Sequence, residues 1–148
     1  MKEYKFYGWE QATVLPVNDE YKNVGTPCDM YDAMKHVWSR ESCAPRLRDE
    51  WSEEKNITRG QCSITAFLVQ DIYGGEVFGI PLEEGGVHCL NVVDGHKFDL
   101  TSEQFGDRKL DFDTLIPQKR EEHFADADKY ARYQLIAKGL KDFLTNAT

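Results

Sequence analysis

Cys62-Ser63-Ile64-Thr65-Ala66-Phe67-Leu68-Val69-Gln70 carries no formal charge and is apolar almost all round. A helix of that composition belongs in the middle of a domain, not on its surface. Ile, Thr and Val also suit a buried strand. The apolar pattern continues to Ile72 and Tyr73, however, too far for most strands, before Gly74-Gly75 stops it. Read as a helix, the segment has Cys62 at its amino terminus. There a thiol faces unpaired backbone N–H groups and the positive end of the macrodipole. Both favour the thiolate, the nucleophilic form.

Downstream, Glu76–Pro81 (EVFGIP) and Val87–Val93 (VHCLNVV) read as strands, and Asp94-Gly95 then turns the chain into His96–Leu100 (HKFDL). Asp-Gly between apolar-bearing runs is the strongest short-range hairpin signal. Ser102 and Glu103 suggest a short helical turn, while 106–125 is charged, mixed and without a readable element. From about Asp126 a final helix carries Tyr130, Tyr133, Ile136, Ala137, Leu140, Phe143 and Leu144 on one stripe behind an acidic start. Upstream, 42–60 is a polar connector containing Trp51. Before it, Pro27 and Asp29 open a helix with Met30, Met34, Val37 and Trp38 on one face. Residues 1–25 read as irregular, with one short strand at Thr13-Val14-Leu15. Three antiparallel strands clustered after a buried helix make an α+β fold over a single domain, 1–148.

Composition narrows the function classes. The 148 residues hold 18 Lys and Arg against 26 Asp and Glu, a net charge of −8. That disfavours a nucleic-acid partner, which needs a basic face to displace phosphate counterions. No run of 18 apolar residues is present, so no membrane span is expected. No apolar signal segment is visible near the start, so a cytoplasmic protein with four free thiols is expected. Acidic residues through 100–128 lack calcium-loop spacing. No Cys-x-x-Cys pair points to zinc, and no metal is expected. Gly74-Gly75 reads as a helix stop rather than a phosphate loop, and no cofactor is expected. The sequence assigns no oligomeric state.

Counting across the hairpin brings chemistry together. With Asp94 and Gly95 in the turn, Val93 opposes His96, Asn91 opposes Phe98, and Leu90 opposes Asp99. His88 shares a face with Leu90, so His88 and Asp99 are diagonal neighbours roughly 7–8 Å apart at the backbone. A carboxylate reaching the imidazole across that diagonal fixes its tautomer and stabilises its charged form. Cys62 at a helix start, a base on the next strand pair and an orienter one turn later form a nucleophilic constellation. Singly, each has a plainer reading. A Cys in an apolar segment is often inert filler, a strand His is often surface or satisfied core, and Asp99 also suits a cap on the following turn.

The block Thr58-Arg59-Gly60-Gln61-Cys62-Ser63-Ile64-Thr65-Ala66, with Val69-Gln70-Asp71, Gly74-Gly75-Glu76, His88, Asp94-Gly95 and Phe98-Asp99-Leu100-Thr101-Ser102-Glu103-Gln104-Phe105, resembles the YunG-like family of small bacterial proteins. The resemblance covers about residues 38–105, and that family has no settled biochemical function. More broadly, a helix Cys followed by His and Asp on adjacent antiparallel strands resembles the papain-like/transglutaminase-like cysteine superfamily. That resemblance implies Cys62 as nucleophile, His88 as general base and Asp99 as orienter. It places Gln61 loosely at the upstream glutamine that assists the oxyanion.

The other residues divide by position. Trp51 either lines a groove near Cys62 or anchors the connector on the core. Cys28 and Cys89 read as packed thiols and Cys43, in the polar connector, as exposed. The expected activity is that of a cysteine hydrolase or acyl/amine transferase working through a thioester on a small-molecule or peptide acyl substrate. The alternatives are a non-catalytic binding module that keeps the fold and an oligomeric structural protein.

Overall fold

The computed structural model describes residues 2–146, so Met1 of the amino-terminal stretch lies outside it. Helix α1 spans Pro27–Met34, two residues ahead of the expected start. Thr26 and Asp29 explain the difference. The Thr26 hydroxyl accepts from the Asp29 N–H at 3.4 Å while the Asp29 carboxylate accepts from the Thr26 N–H at 2.9 Å, which makes Asp29 the third helical residue. The helix ends at Met34, so Val37 and Trp38 lie beyond it. Trp38 is buried all the same, its indole N–H donating to Thr65 Oγ1 at 2.9 Å.

Helix α2 spans Cys62–Tyr73, and Ile64, Leu68, Val69 and Ile72 are fully buried, as a charge-free segment demands. Strands β1 (Glu76–Pro81), β2 (Val87–Val93) and β3 (His96–Phe98) follow in antiparallel order. The Asp94-Gly95 turn has φ of 51° and 81°, the left-handed pair that a two-residue hairpin needs. Register agrees with the count at Val93↔His96, Val92↔Lys97 and Asn91↔Phe98. The ladder stops there rather than at Leu100. Tyr7, from the amino-terminal segment, forms an isolated bridge to Asp99, whose N–H donates to the Tyr7 carbonyl at 3.0 Å.

A fourth strand, β4 (Ile116–Pro117), comes from the stretch that showed no readable element, and the sheet order is β3-β2-β1-β4. Two residues with a proline are too short to register as a strand from pattern alone. Helices α3 (Arg120–Phe124) and α4 (Ala127–Asn146) complete the chain. Asp126 accepts from the Lys129 N–H at 3.2 Å, capping α4 as its acidic start suggests. Ile136 and Leu140 of the expected stripe are fully buried and join Met30, Met34, Leu68 and Ile72 in the core, whereas Tyr130 remains exposed. Thr13-Val14-Leu15 is not a strand. It finds no sheet partner and Leu15 is 66% exposed, while Val14 packs against the core and the Val17 N–H reaches the Ile72 carbonyl at 2.8 Å.

Helix α2 packs on β2 on one side and against α4 on the other. Asn91 pins the first contact, its amide donating to the Ala66 carbonyl at 2.8 Å inside the core. Cys62 is thereby held at one end of the α2–β2 seam.

Candidate active site

The approach to Cys62 is shaped by Gly60, with φ of 74°. A Cβ there would come within 2.5 Å of Cys43 Sγ and 2.8 Å of the Ala44 nitrogen. The Ala44 N–H donates to the Gly60 carbonyl at 3.0 Å and the Gly60 N–H to Gln104 Oε1 at 3.3 Å, so the connector is folded onto itself beneath the helix start. That folding buries Cys43 completely, against the expectation that a cysteine in a polar connector is exposed. Cys62 is the first residue of α2 and is partly exposed. No side chain caps this helix, which leaves the first-turn N–H groups without the usual acceptor.

His88 and Asp99 are each 1% exposed, with His88 Nε2 2.5 Å from Asp99 Oδ2. Asp99 is held from its other oxygen, where Oδ1 accepts from the Thr101 N–H at 3.1 Å and the Thr101 hydroxyl at 3.4 Å. The carboxylate therefore caps the following turn and orients the imidazole at once. Phe105, from the 3-10 turn Ser102–Phe105, stands edge-on to the His88 ring with centroids 4.7 Å apart. With Nε2 committed, Nδ1 is the ring nitrogen left for Cys62, and it is a buried atom with no partner meeting ordinary hydrogen-bond geometry. Burial opposes charging the imidazole, but the Asp99 carboxylate overrides it, and the pKa rises to about 10.

Cys89 reaches the same sulfur from the other face of β2. Its thiol packs with Ala66, Phe67 and Val77 and is 1% exposed. A hydrogen bond from the Cys89 thiol is the largest influence holding Cys62 well below the ordinary thiol range. Burial opposes it, and the nearby positive charge of His88 adds to it. The proximity of Cys62 and burial push Cys89 up, while Cys62, beside the charge of His88, is the thiol held low.

Cys62 and His88 open on a cleft of about 630 Å³, bordered by Leu47, Leu82, Phe105, Lys129 and Arg132 among others. A larger cleft of about 960 Å³ along the amino-terminal segment contains no Cys or His. Two expected site residues lie elsewhere. Gln61 is fully buried, its amide donating to the Ser39 carbonyl at 3.0 Å and accepting from the Ser42 hydroxyl at 2.8 Å, so it braces the connector. Trp51 lies outside the cleft lining, with its indole N–H on the Ile57 carbonyl at 2.9 Å and Arg40 over its ring. It anchors the connector. Sequence reading missed Thr101, Phe105 and the proximity of Cys89. An Asp followed two residues later by Thr is a known side-chain-to-backbone pattern and signals Thr101. Cys89 follows from strand alternation once α2 is set against that face.

Fold and site together define a mixed α+β protein in which a cysteine at a helix start meets a buried His–Asp pair carried by an antiparallel sheet. Residues 26–145 match the YunG protein family, and the chain belongs to it. The uncharacterized protein YunG of Bacillus subtilis (strain 168) is 36% identical over 96 residues, spanning 65% of this chain and 76% of that protein. No solved structure matches the chain, so the papain-like/transglutaminase-like core implied by the resemblance has no structural neighbour behind it. Among the described residues no helix is long and apolar enough to cross a membrane.

Proposed function

We propose that this protein is a cysteine hydrolase or acyl/amine transferase in which Cys62 is the nucleophile, His88 the general base and Asp99 its orienter. The observation that carries this reading is the buried imidazole, with Nε2 fixed on Asp99 and Nδ1 free to address Cys62. The order of Cys, His and Asp on a helix start and successive antiparallel strands favours a papain-like/transglutaminase-like core. The cleft volume suits a small-molecule acyl group or a short peptide.

In the first step the Cys62 thiolate attacks the carbonyl carbon. A C–S bond forms and the carbonyl π pair moves onto oxygen, facing the uncapped N–H groups of α2. Collapse breaks the bond to the leaving amine, which takes the proton held on His88 and departs, leaving a thioester. Water or an acceptor amine then attacks the thioester, giving its proton to His88 and releasing Cys62 as thiolate. Asp99 stabilises the imidazolium whenever His88 holds the proton and keeps Nδ1 turned to the sulfur.

The test is alkylation of the native, reduced protein with iodoacetamide across pH 5–9, followed by peptide mapping, and trapping of an acyl adduct from p-nitrophenyl acetate. Cys62 is expected to alkylate well below the pH of an ordinary thiol and to carry the acetyl group. If Cys62 reacts no faster than a free cysteine, or is modified only after unfolding, the chemistry is wrong and the fold serves binding alone.

A further inference from the structure

The Asn91–Ala66 contact sets a register with a consequence for Cys89. One helical turn back from Ala66 along α2 is Cys62, a step of about 6 Å. Two residues back from Asn91 along β2, on the same face, is Cys89, a step of about 6.6 Å. The two elements run in the same direction, since Gly75, just past the end of α2, abuts Val92 and Val93 at the end of β2. Equal steps from one pinned contact bring Cys62 and Cys89 side by side, and Cys89 is the largest influence on the Cys62 thiol.

We propose that Cys62 and Cys89 form a redox couple, in which a hydroperoxide oxidises Cys62 and Cys89 closes the product into a Cys62–Cys89 disulfide. The inference rests on the reading of Cys62 as the reactive thiolate. Cys62 lies on the cleft, within reach of a small peroxide, whereas Cys89 is sealed beneath it among Ala66, Phe67 and Val77. The other thiols are engaged elsewhere, Cys28 on the Trp9 carbonyl and Cys43 beneath Gly60.

The Cys62 sulfur attacks a peroxide oxygen, an S–O bond forms, the O–O bond breaks, and the departing oxygen takes the proton held on His88 and leaves as alcohol or water. Cys62 is then a sulfenic acid and the peroxide has been reduced. The Cys89 sulfur attacks the Cys62 sulfur, the S–S bond forms, the S–O bond breaks, and the hydroxyl departs as water with the Cys89 proton. Neutralising Cys62 in the first step removes the negative charge that holds the Cys89 proton in place. The disulfide removes the nucleophile proposed for acyl transfer and spares it from irreversible oxidation; a dithiol reductant restores it.

The experiment treats reduced native protein with stoichiometric hydrogen peroxide in the presence and absence of dimedone, with non-reducing peptide mapping. Wild type is expected to lose two hydrogens in mass and to yield one linked peptide pair joining Cys62 to Cys89, reversed by dithiothreitol. In Cys89→Ala and Cys89→Ser, checked for native circular dichroism, dimedone capture at Cys62 should rise by about tenfold, with further oxidation to sulfinic acid. Cys62→Ser should leave Cys89 reduced. Stable sulfenate or sulfinate on Cys62 in wild type, with Cys89 still a thiol, overturns the couple, as does a disulfide from Cys62 to Cys28 or Cys43. Rapid iodoacetamide alkylation of the same reduced sample separates these failures from failure of the thiolate reading, which slow alkylation alone would indicate.

Discussion

Adjacent residues of β2 approach one sulfur from opposite faces of the sheet by different means. The face bearing His88 is polar and tied to the chain on three sides, through Asp99, Thr101 and the ring of Phe105. The face bearing Cys89 packs on α2, with Ala66, Phe67 and Val77 around the thiol. His88 brings a full charge. Cys89 brings a weak donor with no charge of its own. A thiolate held from both sides needs the first for its electrostatics and the second for its orientation, and the two can be separated by substitution.

Breaking the polar face at its base gives the largest effect. Asp99→Asn keeps the shape but leaves the His88 imidazolium buried without its counter-charge, which is expected to cost about 3 kcal/mol of stability. The pH dependence has a definite sign. His88 is raised from the ordinary 6.5 to about 10, so the contribution of its charged form is complete below 6.5 and is lost as pH rises through about 10. Urea unfolding of wild type and Asp99→Asn should therefore differ most near pH 6.5 and converge toward pH 10. A difference that grows with pH would place the charge elsewhere.

His88→Ala comes next. It removes the positive charge acting on Cys62 from this face, so alkylation of Cys62 by iodoacetamide at pH 7 should slow by about 10²-fold. The midpoint should move up toward that of an ordinary thiol. An unchanged rate would mean that the apolar face alone sustains the thiolate.

Where local pattern decides structure, the sequence was legible. The charge-free run gave α2, Asp94-Gly95 gave the hairpin and its register, and that register put His88 beside Asp99. Long-range partners were not legible. The β2–β3 ladder ends at Asn91↔Phe98, and Tyr7 bridges to Asp99 from more than ninety residues away in sequence. Gln61 looked like an oxyanion donor because it precedes Cys62, yet its amide is occupied by Ser39 and Ser42, which sit beside it only after the connector folds back. Cys43 was misplaced for the same reason. Strand alternation correctly put His88 and Cys89 on opposite faces, but it could not show that α2 presents Cys62 at the boundary between them.

The apolar face gives a smaller change. Cys89→Ala removes the thiol donor but leaves the imidazolium, so the Cys62 alkylation midpoint should rise by about one pH unit, roughly a tenfold slowing at pH 7, with the high-pH plateau retained. Loss of the plateau as well would show that Cys89 also holds the sulfur in place. The retained plateau is what distinguishes it from His88→Ala in a protein that still folds.

The smallest effect belongs to Thr101→Val, which sharpens the comparison from within the polar face. It deletes the hydroxyl donor to Asp99 Oδ1 at 3.4 Å but keeps the backbone N–H donor at 3.1 Å. Asp99 then retains its charge and its bond to His88, so stability should fall by only about 1 kcal/mol. The alkylation profile should move by a few tenths of a pH unit at most. If Thr101→Val instead matches Asp99→Asn in both measurements, the hydroxyl rather than the backbone is what aims the carboxylate. The imidazole would then depend on one side-chain bond two residues beyond the strand.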